Sequence, residues 1–195
     1  MKDFNRLYEE TKQMSRDEII KNGLPILISL IEKAKEIGLI KVLKEFPDIT
    51  EFLRNKISIF EPDDALLMFK EYVPLIYDGV ISLIEENEEI KHKIEGTEDI
   101  CVAMEIDDAD FAVTGKLKEA RMSYQMGINN NVDLIIKMKK DAMKKLLSGE
   151  LEVVQGLKSG VIKAEGNITK ALGLRPIIDI ISKEISIKPM NIQIE

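Results

Sequence analysis

Between Val132 and Leu174 the chain changes its hydrophobic period several times, and that succession limits what it can fold into. Val132, Leu134, Ile136 and Met138 alternate with Asp133, Lys137 and Lys139, the period of a strand with one buried face. Asp141 offers an N-cap, and Ala142, Met143, Leu146 and Leu147 follow at helical spacing as far as Gly149. Leu151, Val153, Val154 and Leu157 suggest a second, short helix. Gly160 reopens the chain. Ile162 and Ala164 then alternate with Lys163 and Glu165, and Gly166-Asn167 ends this strand and caps a last helix. The order is strand, helix, short helix, strand, helix.

The chain before this stretch divides in two. Residues 1–79 read as all-helical. Asp3 to Met14 places Phe4, Leu7 and Tyr8 on one face, and Ser15-Arg16-Asp17-Glu18 is a capping box before Ile19-Ile20. Gly23-Leu24-Pro25 is expected to interrupt, with Pro25 opening a new helix that ends at Gly38. Leu39 to Phe46 continues as helix, and Asp48 and Glu51 cap the next. Another helix starts at Pro62, and Pro74 is expected to bend or break it. Val80 to Ile94 reads as a single helix ending at Gly96. Strand signals start near residue 98. Ile100, Val102, Met104 and Ile106 form a first strand, and Asp107-Asp108-Ala109-Asp110 a turn. Phe111 and Val113 begin a second strand that Gly115 ends, and Arg121 to Met126 forms a third. Gly127 and Asn129-Asn130-Asn131 then turn the chain. With the two later strands this makes five, mostly antiparallel, with helices on one face. The tail from Ile185 to Ile194 is open between an edge strand, a lid and a frayed end.

Charge and residue types exclude several functions. Net charge is −7, so nucleic acid is not an expected partner, because phosphate binding needs a basic field. No apolar run approaches the ~20 residues of a membrane helix. The one cysteine cannot form an internal disulfide, which suits a reducing, cytoplasmic location, and no cleavable N-terminal signal is read. His92 lies between Lys91 and Lys93 with no Cys/His cluster around it, so no metal or cofactor is expected. Cys101 reads as a small buried side chain. Asp107, Asp108 and Asp110 lack the glycine and distal glutamate of a calcium loop. Glu85, Glu86, Glu88 and Glu89 read as a solvated helix face. No catalytic residues are expected, and a hydrolase or acyltransferase lacks its material here. What remains is apolar surface. Met104, Met122, Met126, Met138 and Met143 fall on inward faces; core packing is the plain reading for each, and methionine is also the side chain that adapts to variable apolar ligands.

The order and glycines of Val132–Leu174 resemble the sterol carrier protein type 2 (sterol-transfer) family. Asp133 holds the family's Asp near the start of a strand. Leu146-Leu147-Ser148-Gly149-Glu150-Leu151 holds its Leu-x-x-Gly-x-Leu, and Gly160 to Asn167 holds its two glycines bracketing a short strand. Gly156 stands where the family usually has Ala, and Asn167 where it usually has Asp. The glycine is expected to loosen the short helix by about 1 kcal/mol. The resemblance covers roughly residues 80–182.

The resemblance implies an α+β domain over residues 80–195, preceded by a helical extension over 1–79. It also implies an apolar tunnel between sheet and helices that binds a lipid, fatty acid or acyl-CoA without catalysis. From the strands the lining is expected to be Met122, Tyr124, Met126, Leu134, Ile136, Ile162 and Ala164. From the helices it is expected to be Met143, Leu146, Leu147, Val154, Leu172, Ile177, Ile178 and Ile181. The amphipathic faces of residues 1–79 must bury against something, either the second half or another copy in a homo-oligomer. The alternative is an accessory module with a closed cavity that presents substrate to a partner enzyme or mediates assembly.

Overall fold

The computed structural model describes residues 1–175 and Ile178, so the expectations for Ile177, Ile181 and the tail from Ile185 lie outside the described residues. Its contacts separate into two units. One comprises Met1–Gly79 with Lys144–Glu150, the other Val80–Met143 with Leu151 onward.

In the first unit α1 (Lys2–Gln13) turns Phe4 and Tyr8 inward, where they meet Phe46 and Phe52 in tilted or edge-on ring pairs. Ring quadrupoles favour such angles. The capping box forms around α2 (Arg16–Glu18): the Ser15 amide donates to Glu18 Oε2 at 2.8 Å, and the Ser15 side chain accepts from the Glu18 amide. The expected interruption at Gly23-Leu24-Pro25 does not occur. A π turn, Ile19–Gly23, leads straight into α3 (Leu24–Ile37). Gly23 takes helical dihedrals, and Pro25 follows at the start of α3, where the wider π turn precedes it. Gly38 ends α3 with φ 94°, and α4 (Leu39–Glu45) follows. Asp48 precedes α5 (Ile49–Ile57) but caps nothing with its side chain; it receives Lys12 Nζ at 3.4 Å instead.

Pro74 neither breaks nor ends its helix, since α6 runs unbroken from Pro62 to Glu86. The lost backbone bond costs about 3 kcal/mol, and burial of Phe69, Val73 and Leu75 around the proline offsets it. The break expected at Pro74 comes at Asn87. Its side chain accepts from the amides of Glu89 and Ile90 and starts α7 (Glu88–Glu95). Val80 to Ile94 is therefore two helical pieces, not one.

The second unit holds a five-stranded mixed sheet in the order β3-β2-β1-β4-β5. The strands are β1 (Ile100–Ile106), β2 (Phe111–Lys118), β3 (Arg121–Met126), β4 (Leu134–Met138) and β5 (Ile162–Gly166). β1 and β4 are parallel; the other three pairings are antiparallel. β2 does not stop at Gly115 but continues to Lys118, because Gly115 is paired on both sides, with Val102 and Tyr124. Between the strands β4 and β5 lie α8 (Lys140–Ser148) and α9 (Val153–Ser159), and α10 (Ile168–Leu172) follows β5. Asp141 is not the cap of α8, which begins a residue earlier. Its first amide, Lys140 N–H, donates to Asp108 Oδ1 at 2.8 Å across 32 residues of chain.

To reach β4 from β3 the chain must pass β2 and β1, and it has only Gly127 to Asp133 in which to do so. Thr114 pins that crossing. Its hydroxyl donates to the Gly127 carbonyl at 2.7 Å and accepts from the Asn129 amide at 3.1 Å, while the residue is 2% exposed. Thr114→Val keeps the shape and removes both bonds. Unpaired buried groups cost about 1–3 kcal/mol, so urea unfolding is expected to show a loss of about 2 kcal/mol with the m-value unchanged.

α9 packs on β5, and Gly156 is the reason it can come close. A Cβ there would lie against Ile162 Cδ1 and 2.7 Å from Cγ1. The glycine that local propensity marks as a weakness is thus a packing requirement. Gly156→Ala gains about 1 kcal/mol of helix propensity but overpacks a core at a cost of about 1–3 kcal/mol. We expect a net loss of about 1 kcal/mol by thermal unfolding, reduced in part when Ile162→Val is added, which removes Cδ1 and keeps a Cγ at the contact.

Candidate functional site

The sheet's two faces differ in kind. Cross-strand register places Ile100, Val102, Met104 and Ile106 of β1 on one face with Phe111, Val113, Gly115 and Leu117 of β2. Met122, Tyr124 and Met126 of β3 share that face, as do Leu134, Ile136 and Met138 of β4 and Ile162 and Ala164 of β5. The other face is mixed: Cys101, Ala103 and Thr114 are buried on it, and charged side chains occupy its remainder. Lys137 lies there between Glu165 at 2.9 Å and Glu105 at 3.8 Å, and Glu165 chiefly holds its ammonium above the usual lysine range.

The apolar face is buried toward its ends and at Val113, and less fully covered along a band across its middle. Ile100, Leu117 and Leu134 are buried toward one end, and Ile106, Phe111, Met138 and Ile162 toward the other. Between them Tyr124, Gly115, Val102, Met104, Ile136 and Ala164 are only half-buried. These six cross the whole sheet from β3 to β5 as a band. Val102 and Met104 belong to the central strand, whose side chains are normally the most covered in a sheet with helices.

All seven strand residues expected to line a tunnel thus share one face. Met122, Tyr124, Ile136 and Ala164 lie half-buried, Met126 is 51% exposed at the outer edge, and Leu134 and Ile162 are buried. The helix residues are less collected. Met143 is buried in the second unit, and Val154 is half-buried on α9. Leu146 and Leu147 are half-buried in the segment that groups with the first unit. Leu172 is exposed on α10, and Ile178 is half-buried, its amide donating to the Leu174 carbonyl at 2.9 Å. Val102 and Gly115 join the band without having been selected from sequence, and Met104, noted there among the inward-facing methionines, joins it without having been named as lining. The available signal was that all three fall near the middle of the two strands that become central.

Asp133 fixes one end of this arrangement. Its Oδ2 accepts from the Cys101 amide at 2.8 Å, and its Oδ1 receives Lys170 Nζ at 2.9 Å. Its own amide donates to the Cys101 carbonyl at 2.8 Å, and its carbonyl accepts from the Asn167 amide at 2.7 Å. One residue therefore ties β1, the start of β4, the end of β5 and α10. The Lys170 ammonium and then the Cys101 amide hold the Asp133 carboxyl below the usual carboxylate range, and Asp133 in turn raises Lys170. Asn167 caps α10, receiving the Lys170 amide at 2.9 Å, so asparagine fills the role expected of it. Burial, and then the Asp133 charge, push the Cys101 thiol up, away from the thiolate a nucleophile needs. The His92 side chain is 88% exposed and meets Glu95 at 3.0 Å. Among the described residues no group of three or more His, Cys, Asp or Glu could hold a metal ion.

This α+β sheet, with an apolar face and glycines bracketing its last strand, defines the class. The sequence matches the model of the SCP-2 sterol transfer family over residues 81–179, about half the chain, and the protein belongs to that family. Its structure is similar to sterol carrier protein 2 from Yarrowia lipolytica in the apo form, at 18% identity over 51% of this chain and 90% of that one, with TM-score 0.38. It is similar to the ubiquinone synthesis protein UbiJ-SCP2 at 14% identity over 56% and 97%, with TM-score 0.37. A stereoselective inverting sec-alkylsulfatase from Pseudomonas sp. is 15% identical over 50% of this chain, with TM-score 0.37, and the chain spans only 14% of that protein. No curated protein matches the chain. No described helix is long and apolar enough to cross a membrane.

Proposed function

We propose that the second unit binds a lipid-like molecule, a fatty acid or acyl-CoA, non-catalytically in an apolar tunnel between the sheet and its helices, and passes it on. The observation that supports this reading is the incompletely covered band on the apolar face. A sheet folded for stability alone would cover Val102 and Met104 on its central strand. Met104, Met122 and Met126 at the band give it walls that adapt to different chains. Leu134, Ile162 and Met143 form its floor, and Val154, Leu172 and Ile178 its helical side.

The driving force is apolar burial. About fourteen methylenes at ~0.8 kcal/mol each give ~11 kcal/mol gross. Association costs of at least ~4 kcal/mol then leave an affinity in the micromolar range. Such binding selects for length and shape more than for the head group. The test is native mass spectrometry of the purified protein for co-purifying lipid, with titration of a fluorescent long-chain fatty acid. Saturable binding supports the reading; failure to bind any long-chain lipid saturably removes it.

A further inference from the structure

β3 is the outermost strand of the described sheet, with β2 on one side and no described strand on the other. Which of its backbone groups face outward follows from one bond. The Gly127 amide donates to the Ala112 carbonyl at 2.7 Å. Gly127, and by alternation Gln125, Ser123 and Arg121, therefore turn their amides and carbonyls toward β2. Met122, Tyr124 and Met126 turn theirs to the outer edge. Such an edge is a template for another strand, and monomeric folds blunt it with lysine, proline, a bulge or a covering element. β5, at the opposite edge, carries Lys163 and Glu165 and has α9 packed on it. β3 differs. Its register with β2 runs without a bulge from Arg121 to Met126, it holds no proline, and Arg121 at its start is its one charge. Ser123, Gln125 and Met126 are exposed, and the apolar Ile128 is exposed just beyond them.

We propose that β3 is a homodimer interface, pairing antiparallel with β3 of a second copy about a two-fold axis at Tyr124. Symmetry and the strand's own pattern dictate this register. An axis between two residues sets Met122 opposite the partner's Gln125 and turns one copy's apolar row to the wrong side. An axis at Ser123 sets Met126 opposite the partner's Ala120, whose φ of 60° has already left the strand. At Tyr124, Met122 and the partner's Met126 exchange two backbone bonds on each side of the axis. Met122 then covers the partner's Met126 on the apolar face, and Ser123 meets the partner's Gln125 on the other. Arg121 falls opposite the partner's Gly127, so no like charges meet across the seam although the chain carries −7. A second copy is the occupant because the edge complements itself in backbone, in face and in charge. The strand offers 6 residues a side, short of the ~20–30 of a standard stable interface, so the dimer is reversible.

Sedimentation equilibrium of the full chain, from micromolar to millimolar concentration, reads the association. Ser123 and Gln125 are exposed, so charges placed there test the register without touching the core. In the Ser123→Lys/Gln125→Glu variant opposite charges meet across the seam; in Ser123→Lys/Gln125→Lys like charges do. We expect the first to associate about fivefold more tightly than wild type and the second about fivefold more weakly. That weakening runs against net charge, since two added lysines bring the chain from −7 toward zero and ease general repulsion. Should a variant fail to fold, cysteines give a second reading. Met122→Cys mixed with Met126→Cys is expected to form a disulfide-linked dimer on oxidation, because bonded cross-strand Cα atoms lie about 5.5 Å apart, within disulfide reach. Either one alone is expected to form none, its own counterpart lying about 14 Å along the strand. A wild type that stays monomeric throughout overturns the proposal and leaves the edge to a different chain. A dimer indifferent to these charges, or cysteine variants that link as readily alone as mixed, also overturns it and assigns the association to another surface. Neither outcome bears on lipid binding.

Discussion

Gly166→Ala is expected to be the most damaging single methyl group that can be added to this sheet. Gly166 closes β5 with φ 122°, a conformation L side chains rarely adopt. Its Cβ would fall onto the Asp133 carbonyl oxygen, 3.1 Å from that carbonyl carbon and 3.2 Å from Leu134 Cα. All three are backbone atoms, so no rotamer change relieves the contact. Strand β5 must withdraw from β4, which breaks the Leu134–Gly166 pairing and the Asn167-to-Asp133 bond of 2.7 Å. Backbone strain of about 1–3 kcal/mol and two lost backbone bonds of about 1 kcal/mol each sum to about 4 kcal/mol. Domains are stable by about 5–15 kcal/mol in all, and a chain this long loses about 2–4 °C of Tm per kcal/mol. A drop of roughly 8–16 °C in the circular-dichroism transition follows. Gly127→Ala is the control: φ is 89° there, but nothing lies within 4 Å of its Cβ, so only strain is felt. If the two variants lost the same stability, the close approach of β5 to Asp133 would not matter.

Gly160 and Gly166 form the bracketing pair that marks the family, and they are glycines for different reasons. Gly160 has φ 75° with open space around it, whereas Gly166 is excluded by contact as well as by φ. Sequence spacing finds both and distinguishes neither, because the contact belongs to Asp133, 33 residues earlier. The same limit explains most departures from the sequence reading. Strands were legible because period two is a local property: Leu134, Ile136, Ile162 and Ala164 share a face by alternation alone. What lay outside local pattern was supplied by distant partners. Asp108 caps α8 from the β1–β2 turn, burial holds α6 together through Pro74, and Gly115 continues its strand because it is paired on both sides. The β2–β3 turn is another case. Glu119 and Ala120 take φ 50° and 60° with no glycine or asparagine to announce it, and the Glu119 amide is held by Asp99 Oδ1 at 2.8 Å. The band shows the limit for the site. Alternation assigns its residues to a face, but how far helices cover that face is a matter of packing, so Val102 reads as ordinary core and Met104 as either core or lining.

Asp133→Ala is expected to cost about 3 kcal/mol, most of it from the backbone it leaves behind. The Cys101 amide loses its acceptor inside a largely buried strand, which costs about 1–3 kcal/mol. The Lys170 pair adds less, since Asp133 keeps 31% of its side-chain surface exposed and solvent screens the charges. Asp133→Asn separates the two contributions. Its amide oxygen can still serve Cys101, so the loss should fall to about 1 kcal/mol. Adding Lys170→Met should then cost almost nothing further. The carboxyl also predicts a pH dependence. Its folded value lies below the unfolded one, so the unfolded chain binds the extra proton first. The stabilisation is complete above the unfolded value of about 3.9, and it is lost as pH falls through the lower folded value. Unfolding free energies measured from pH 6 downward should therefore fall less steeply for Asp133→Asn than for the wild type. Equal slopes would mean that Asp133 is a hydrogen-bond acceptor whose charge is irrelevant. The consequence for the site follows from what Asp133 joins. It sets β4 beside β1 and, through Lys170 and Asn167, holds α10 at the end of the band. A variant that frees Lys170 should loosen α10 and raise amide exchange there at temperatures where the sheet remains protected. Exchange that rose equally in β1 and α10 would mean that the Asp133 contacts stabilise the domain as a whole and do not tether this helix in particular.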